Sequence, residues 1–272
     1  MLVFLSGCST ATSQNSNSNV EVSDTQSQDT ATASKVSSED YAAVLKQYVN
    51  EAGEVDYAGL QKDRAALDRF NASLGAVSRV SYESWPESEK IAFWVNAYNS
   101  LTLQAIIDNY PTKSIRDIPG VWKSLKFKVL GEELTLDAIE HEILRKEFNE
   151  PRIHMALVCA SVGCPVLRRE PYRGEDLAAQ LDDNTRMFLK VDRNFKLDGQ
   201  NGKVHISSIF KWFGQDFETT YGTQSKFTKF NNKENSVLNF ISSYLDDADR
   251  AELEQAKKVR YLDYDWSLNR QP

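Results

Sequence analysis

The chain has 272 residues, 41% hydrophobic and 26% charged, the composition of one or two ordinary globular domains. Lys and Arg total 32 against 39 Asp and Glu, a formal net charge of −7; that is the wrong sign for a chain that neutralises phosphate backbones, so no nucleic-acid partner is expected. Twelve glycines, seven prolines and three cysteines exclude collagen-like, low-complexity and disulfide-scaffold classes, and no stretch approaches the ~20 apolar residues of a membrane-spanning helix.

The chain opens on Met1-Leu-Val-Phe-Leu-Ser-Gly-Cys8. The positive n-region and full apolar h-region of a secretory signal are missing, yet Leu5-Ser6-Gly7-Cys8 has the form of a bacterial lipobox. Cleavage before Cys8 would leave its thiol thioether-linked to diacylglycerol, giving the protein a membrane partner through that lipid. The expectation is that residues 1–8 are the end of a signal peptide whose start lies further upstream. From Ser9 to Ser38 the chain has no aromatic residue, Leu or Ile. Such a segment buries too little surface to offset its ordering entropy and reads as a disordered tether. Lipobox, tether and folded domain in that order predict an envelope lipoprotein, and Ser9 after the cysteine favours the outer membrane, facing the periplasm.

Residues 39–272 read as a single α+β domain, helix-rich, with a small central sheet and a β-hairpin. Ser38-Glu39-Asp40 caps a first helix bearing Tyr41, Val44, Leu45 and Tyr48 at helical spacing. A second helix follows Asp56, with Leu60, Leu67, Phe70 and Leu74 as its apolar stripe. Pro86 sits at the start of a long helix, about Ser88 to Asn109, which Tyr110-Pro111 stops. Phe127–Leu134 predicts a short hairpin around Gly131. Thr135 caps a helix with Leu136, Ile139, Ile143 and Leu144 inside. Ile153-His154-Met155-Ala156-Leu157-Val158 is a continuous apolar run, long enough for a buried central strand. A helix over Glu175–Leu189 precedes a hairpin turning at Asp198-Gly199 and Asn201-Gly202. Helices around Ser208 and over Ser236–Leu245 lead to an extended tail ending in Asp265-Trp266-Ser267-Leu268-Asn269, read as a structural segment docked by its Trp.

Three constellations can carry chemistry. Asn96 and Asn99 lie three apart on one face of the long helix; they can orient a substrate carbonyl or an imidazole, or they can satisfy neighbouring backbone groups. Asp137, His141 and Arg145 share a helix face at four-residue spacing, with Glu140 and Glu142 beside the histidine. An Asp–His pair can set a tautomer and raise basicity, although a solvated charged face is the plainer reading. Finally, His154 sits in the apolar run, and Cys159-Ala-Ser161-Val-Gly163-Cys164-Pro165 begins where that run ends. A thiol near an imidazole is the minimum apparatus for nucleophilic catalysis. Simple packing of the cysteines, or their oxidation to a disulfide in an exported protein, are the alternatives. His205 alternates with Val204 and Ile206 on a hairpin strand and is given no role. Phosphate-binding loops and the Gly-x-Ser-x-Gly elbow are absent from the sequence.

Phe93-Trp94-Val95-Asn96-Ala97-Tyr98-Asn99, Tyr110-Pro111 with Ser114-Ile115, Ile139-Glu140-His141 with Leu144-Arg145, and His154-x-Ala156-Leu157-x-Cys159-Ala160-Ser161 with Cys164-Pro165 resemble the domain of unknown function 547 family. The likeness runs from about Val55 to Asn269, taking in Ser207–Phe213 with Asp216-Phe217 and the final Asp-Trp-Ser-Leu-Asn. It departs at Gly163, where serine is often expected. The resemblance implies no reaction, but it marks Asn96, Asn99, Glu140, His141, His154, Cys159 and Cys164 as a shared site; Asn99, Tyr98, Trp94, Ser161 and Arg145 are the expected substrate contacts.

Two readings stay open. In the first, Cys164 or Cys159 attacks an amide or ester carbonyl, His154 or His141 is the base, and Asn96 or Asn99 orients the ring or binds the oxyanion, in a hydrolase or transferase without cofactor or metal. In the second, the domain is a non-catalytic envelope module binding peptide, glycan or a protein partner. A metal-dependent hydrolase using His141, His154 and Glu140 is a weaker third.

Overall fold

In a computed structural model of the protein, the described residues are Val36, 38–224 and 226–272. The expected lipobox, lipidated Cys8 and almost all of the tether lie outside them. Among the described residues, no helix is long and apolar enough to cross a membrane.

Helices α1 (Ser38–Tyr48), α2 (Tyr57–Lys62), α3 (Ala65–Ala76) and α4 (Arg79–Glu83) pack around a 22-residue α5 (Glu87–Asp108). Along α5 apolar residues recur on every side, and it is buried accordingly. The single helix expected after Asp56 is two. Its break falls at Asp63, whose carboxylate accepts a hydrogen bond from the Tyr48 hydroxyl at 2.8 Å and whose backbone N–H closes α2 onto the Gly59 carbonyl. A hairpin of β1 (Phe127–Val129) and β2 (Glu132–Leu134) follows as expected. Thr135 Oγ1 then accepts from the Ala138 N–H at the head of a π-helical segment, Ala138–Leu144, which runs into α6 (Arg145–Glu147).

The run from Ile153 to Val158 is buried as predicted but is not a strand. Pro151–Met155 is a 3₁₀ turn, with proline in its first turn and the Glu150 carboxylate accepting from the Arg152 N–H. Residues enclosed on all sides lose the alternation that separates strand from helix, so the pattern was ambiguous by nature. Beyond it lie α7 (Leu177–Leu189), β3 (Phe195–Asp198), β4 (Lys203–Ser207), α8 (Ser208–Phe213), α9 (Glu218–Tyr221), α10 (Asn232–Ser242), α11 (Asp247–Gln255) and β5 (Lys258–Leu262). Strand β4 pairs antiparallel with β3 and parallel with β5, and His205 is half-buried on it, opposite Lys196.

Two apolar clusters result. One surrounds α5; the other joins the three-stranded sheet to α10 and its neighbours. The thiol loop belongs to the first, as do Trp266 and Leu268 of the C-terminal tail, while Tyr264 of that tail packs against both. The tail is tied down through its backbone. Val162 and Gly163 donate N–H bonds to the Ser267 and Asp265 carbonyls, Asn269 donates to the Ala160 carbonyl, and Val55 donates to that of Asn269.

Candidate active site

The thiol loop is shaped from both sides. Upstream, the Asn99 side chain grips the backbone, donating to the Ala156 carbonyl at 3.0 Å and accepting from the Val158 N–H at 2.9 Å. Ala160 then takes the left-handed conformation, φ 57°, uncommon without glycine and held here by the tail. The chain reverses, with Cys164 N–H bonded to the Ser161 carbonyl. In consequence the sulfurs of Cys159 and Cys164 approach to 2.7 Å, and the Tyr264 hydroxyl lies 3.2 Å from the first and 3.0 Å from the second. At Gly163 a Cβ would come within 2.9 Å of the Tyr264 ring, so the close approach of that ring to the loop requires glycine or a shift of the tyrosine.

The two thiols differ. Cys164 is 5% exposed, whereas Cys159 is partly open to solvent. The hydrogen bond from Cys164 draws the Cys159 thiol below its ordinary pKa against the opposing effect of burial, with help from the Tyr264 and Ser161 hydroxyls. Burial pushes Cys164 well up. Cys159 is therefore the sulfur that ionises first.

Next to the thiols is a chain of charged groups. Arg145 grips Asp216 through two hydrogen bonds, 2.6 and 2.8 Å, and Asp216 Oδ2 lies 2.8 Å from His154 Nε2. Burial would raise the Asp216 carboxyl, but Arg145 and His154 override it and hold it well below the usual carboxylate range. A carboxylate accepts, so Nε2 of His154 carries the hydrogen, and in the neutral ring Nδ1 carries the lone pair. Phe213 stacks on the His154 ring, centroids 4.3 Å apart. Arg145 also donates to His141 Nδ1 at 3.1 Å. A guanidinium has no lone pair, so His141 has its hydrogen on Nε2, which faces Asp137 Oδ1 at 3.7 Å.

The two thiols and the two histidines line one cavity of about 280 Å³, near the lower end of small-ligand sites, with Arg145 and Asp216 behind the histidines on another depression. Cys159, Cys164, His154, His141, Glu140 and Tyr98 all reach it. So do Trp122, Trp266, Tyr264 and the half-exposed Trp212, which pack against one another at its mouth. Glu140 and His141 enter from the π-helical segment, a rare conformation often found at functional sites. The carboxylate of Glu140 sits against the Tyr98 hydroxyl, adding to the burial that raises it.

Other predicted site residues lie elsewhere. Asn96 faces a different groove, and both atoms of its amide bond the Tyr172 backbone. The amide of Asn99 makes one donated and one accepted bond to the loop backbone and does not line the cavity. Trp94 is buried and donates to the Tyr82 hydroxyl at 2.8 Å, away from the thiols. Ser161 stands 3.6 Å from the Cys159 sulfur but opens on another depression. Arg145 acts one step back, through Asp216 and His141. Among the described residues, no three His, Cys, Asp or Glu side chains are grouped to hold a metal ion. Sequence reasoning missed Tyr264, which has no local signature, and Asp216, which lay in a quoted motif without a role.

No curated protein and no solved structure matches the chain. Residues 82–189 match the family model described as Protein of unknown function, DUF547, so the likeness drawn from the motifs holds over the span that carries Glu140, His141, His154 and both thiols.

Proposed function

We propose that the protein is a thiol-dependent hydrolase or acyl transferase in which Cys159 attacks an amide, ester or thioester carbonyl. The observation that carries this reading is the Cys159 sulfur itself, partly open to the cavity and hydrogen-bonded by Cys164 and Tyr264, which make it the more acidic of the pair. A thiolate, not a thiol, is the nucleophile. His154, held by Asp216 with its lone pair on Nδ1, is the base and returns the proton to the leaving group. Tyr264 takes over from Asn96 and Asn99 as the donor near the reacting carbonyl. A cavity of about 280 Å³ takes an acyl group or one end of a longer molecule. We place the enzyme at the periplasmic face of the outer membrane, anchored through Cys8, on the strength of the lipobox and tether.

The test is the rate of iodoacetamide labelling against pH, with the two thiols resolved by tandem mass spectrometry of the peptide 153–168. Cys159 should label with a midpoint below the ordinary thiol value of about 8.5, and His154→Ala should lower its turnover of a thioester or ester substrate. Two thiols titrating at or above ~8.5 overturn the assignment.

A second reading is favoured by the tryptophans at the cavity mouth: a module that binds peptide or glycan by ring stacking without turnover. It predicts that Trp212→Ala abolishes binding of a peptidoglycan fragment while Cys159→Ser leaves it intact.

A further inference from the structure

We propose that Cys159 and Cys164 are the site of a reversible disulfide, closed by a small-molecule or protein disulfide and reopened by a dithiol. The sulfurs already stand 2.7 Å apart, so a further approach of about 0.7 Å reaches bond length. The loop is pre-formed for this closure. Ala160 sits in its left-handed turn and Cys164 N–H is bonded to the Ser161 carbonyl, while the tail holds Ala160, Val162 and Gly163 through three backbone hydrogen bonds. Little conformational freedom is left to lose when the bond forms.

The asymmetry of the pair sets the order of events. Cys159, partly exposed, attacks one sulfur of the incoming disulfide and expels the other as a thiolate, giving a mixed disulfide. Cys164, buried behind it, then attacks the Cys159 sulfur and expels the second thiolate. The protein loses two electrons and two protons, and both pass to the oxidant, which leaves as two thiols. The closed form has no nucleophile at Cys159. That consequence rests on the function proposed above; formation of the bond does not.

The experiment treats the full, unlipidated chain with excess oxidised dithiothreitol, digests it with trypsin and weighs the peptide 153–168, with a parallel Cys8→Ser sample to remove the thiol that Cys8 carries when no lipid is attached. The expected result is a peptide lighter by two hydrogens, a fall of about tenfold or more in iodoacetamide labelling of both cysteines, and recovery under reduced dithiothreitol. Unchanged labelling of both cysteines, or bonds formed only between chains or to Cys8, overturns the proposal. A disulfide that forms between thiols titrating near ~8.5 would leave this inference standing and remove the nucleophile assignment. An acidic Cys159 that never bridges to Cys164 would do the reverse.

Discussion

Two depressions in the domain differ in size and in chemistry. The larger, about 790 Å³, lies beside α1 and the start of α5; the smaller, about 280 Å³, holds the thiols. In the larger one Asn96 is committed to the Tyr172 backbone and Glu89 accepts from the Gly174 N–H. These groups join one chain segment to another, and a ligand would have to displace them. The smaller one gathers two sulfurs, a phenol that bridges them and a histidine braced from behind, around a space rimmed by tryptophan. Exchangeable, acid–base-active groups mark a site better than volume does, because empty space supplies no differential interaction with a reacting molecule.

Substitutions can break this contrast, and the largest effect is expected at Cys159. Cys159→Ser should reduce total labelling of the peptide 153–168 at pH 6 by about a hundredfold, because the buried Cys164 stays protonated there. Asp216→Asn comes second. It leaves the Arg145 charge and the His154 Nε2–H without their carboxylate, and chemical denaturation at pH 7 should show a loss of about 2–3 kcal/mol. The folded carboxyl titrates below its unfolded value of about 3.9, so this stabilisation is complete above that value and is lost as pH falls through the folded one. The gap between wild type and variant should therefore narrow in acid.

Tyr264→Phe sharpens the comparison. It removes a donor to the Cys159 thiolate, so the labelling midpoint should move up and the rate at pH 6 should drop about tenfold, with the melting temperature little changed. Glu175→Ala, on the exposed edge of the larger depression, should change the same rate by less than about twofold and stability by under ~0.5 kcal/mol. An effect on thiol reactivity as large as that of Tyr264→Phe would erase the distinction between the two depressions.

Much of the fold was written in short-range pattern. Pro86, the apolar run of α5, the Gly131 hairpin and the Asp198–Gly202 turn each state their conformation within a few residues, because propensity, capping and turn geometry are local. The Ile153–Val158 run shows the limit: it announced burial correctly and conformation wrongly, since complete enclosure removes the period. The site divides along the same line. Cys159, Cys164 and His154 stood close together in one motif, and Glu140 and His141 stood on one helical stretch with Asp137 and Arg145 at four-residue spacing. Asn96 and Asn99 drew attention for a sound reason, as amides inside an apolar helix must find partners, and they found them in backbone.

By itself the sequence determined a helix-rich domain behind a polar segment, two closely spaced cysteines at the end of a buried run, and histidines and acids elsewhere in the chain. Only the tertiary structure decided which of these meet. Tyr264 reaches the sulfurs across a separation of 100 residues or more, and Asp216 reaches His154 across 62. Such pairings arise when the tail docks on the thiol loop and Phe213 at the end of α8 stacks on His154 of the 3₁₀ turn. Long-range contact is a property of packing, for which no local pattern of residues carries a signal.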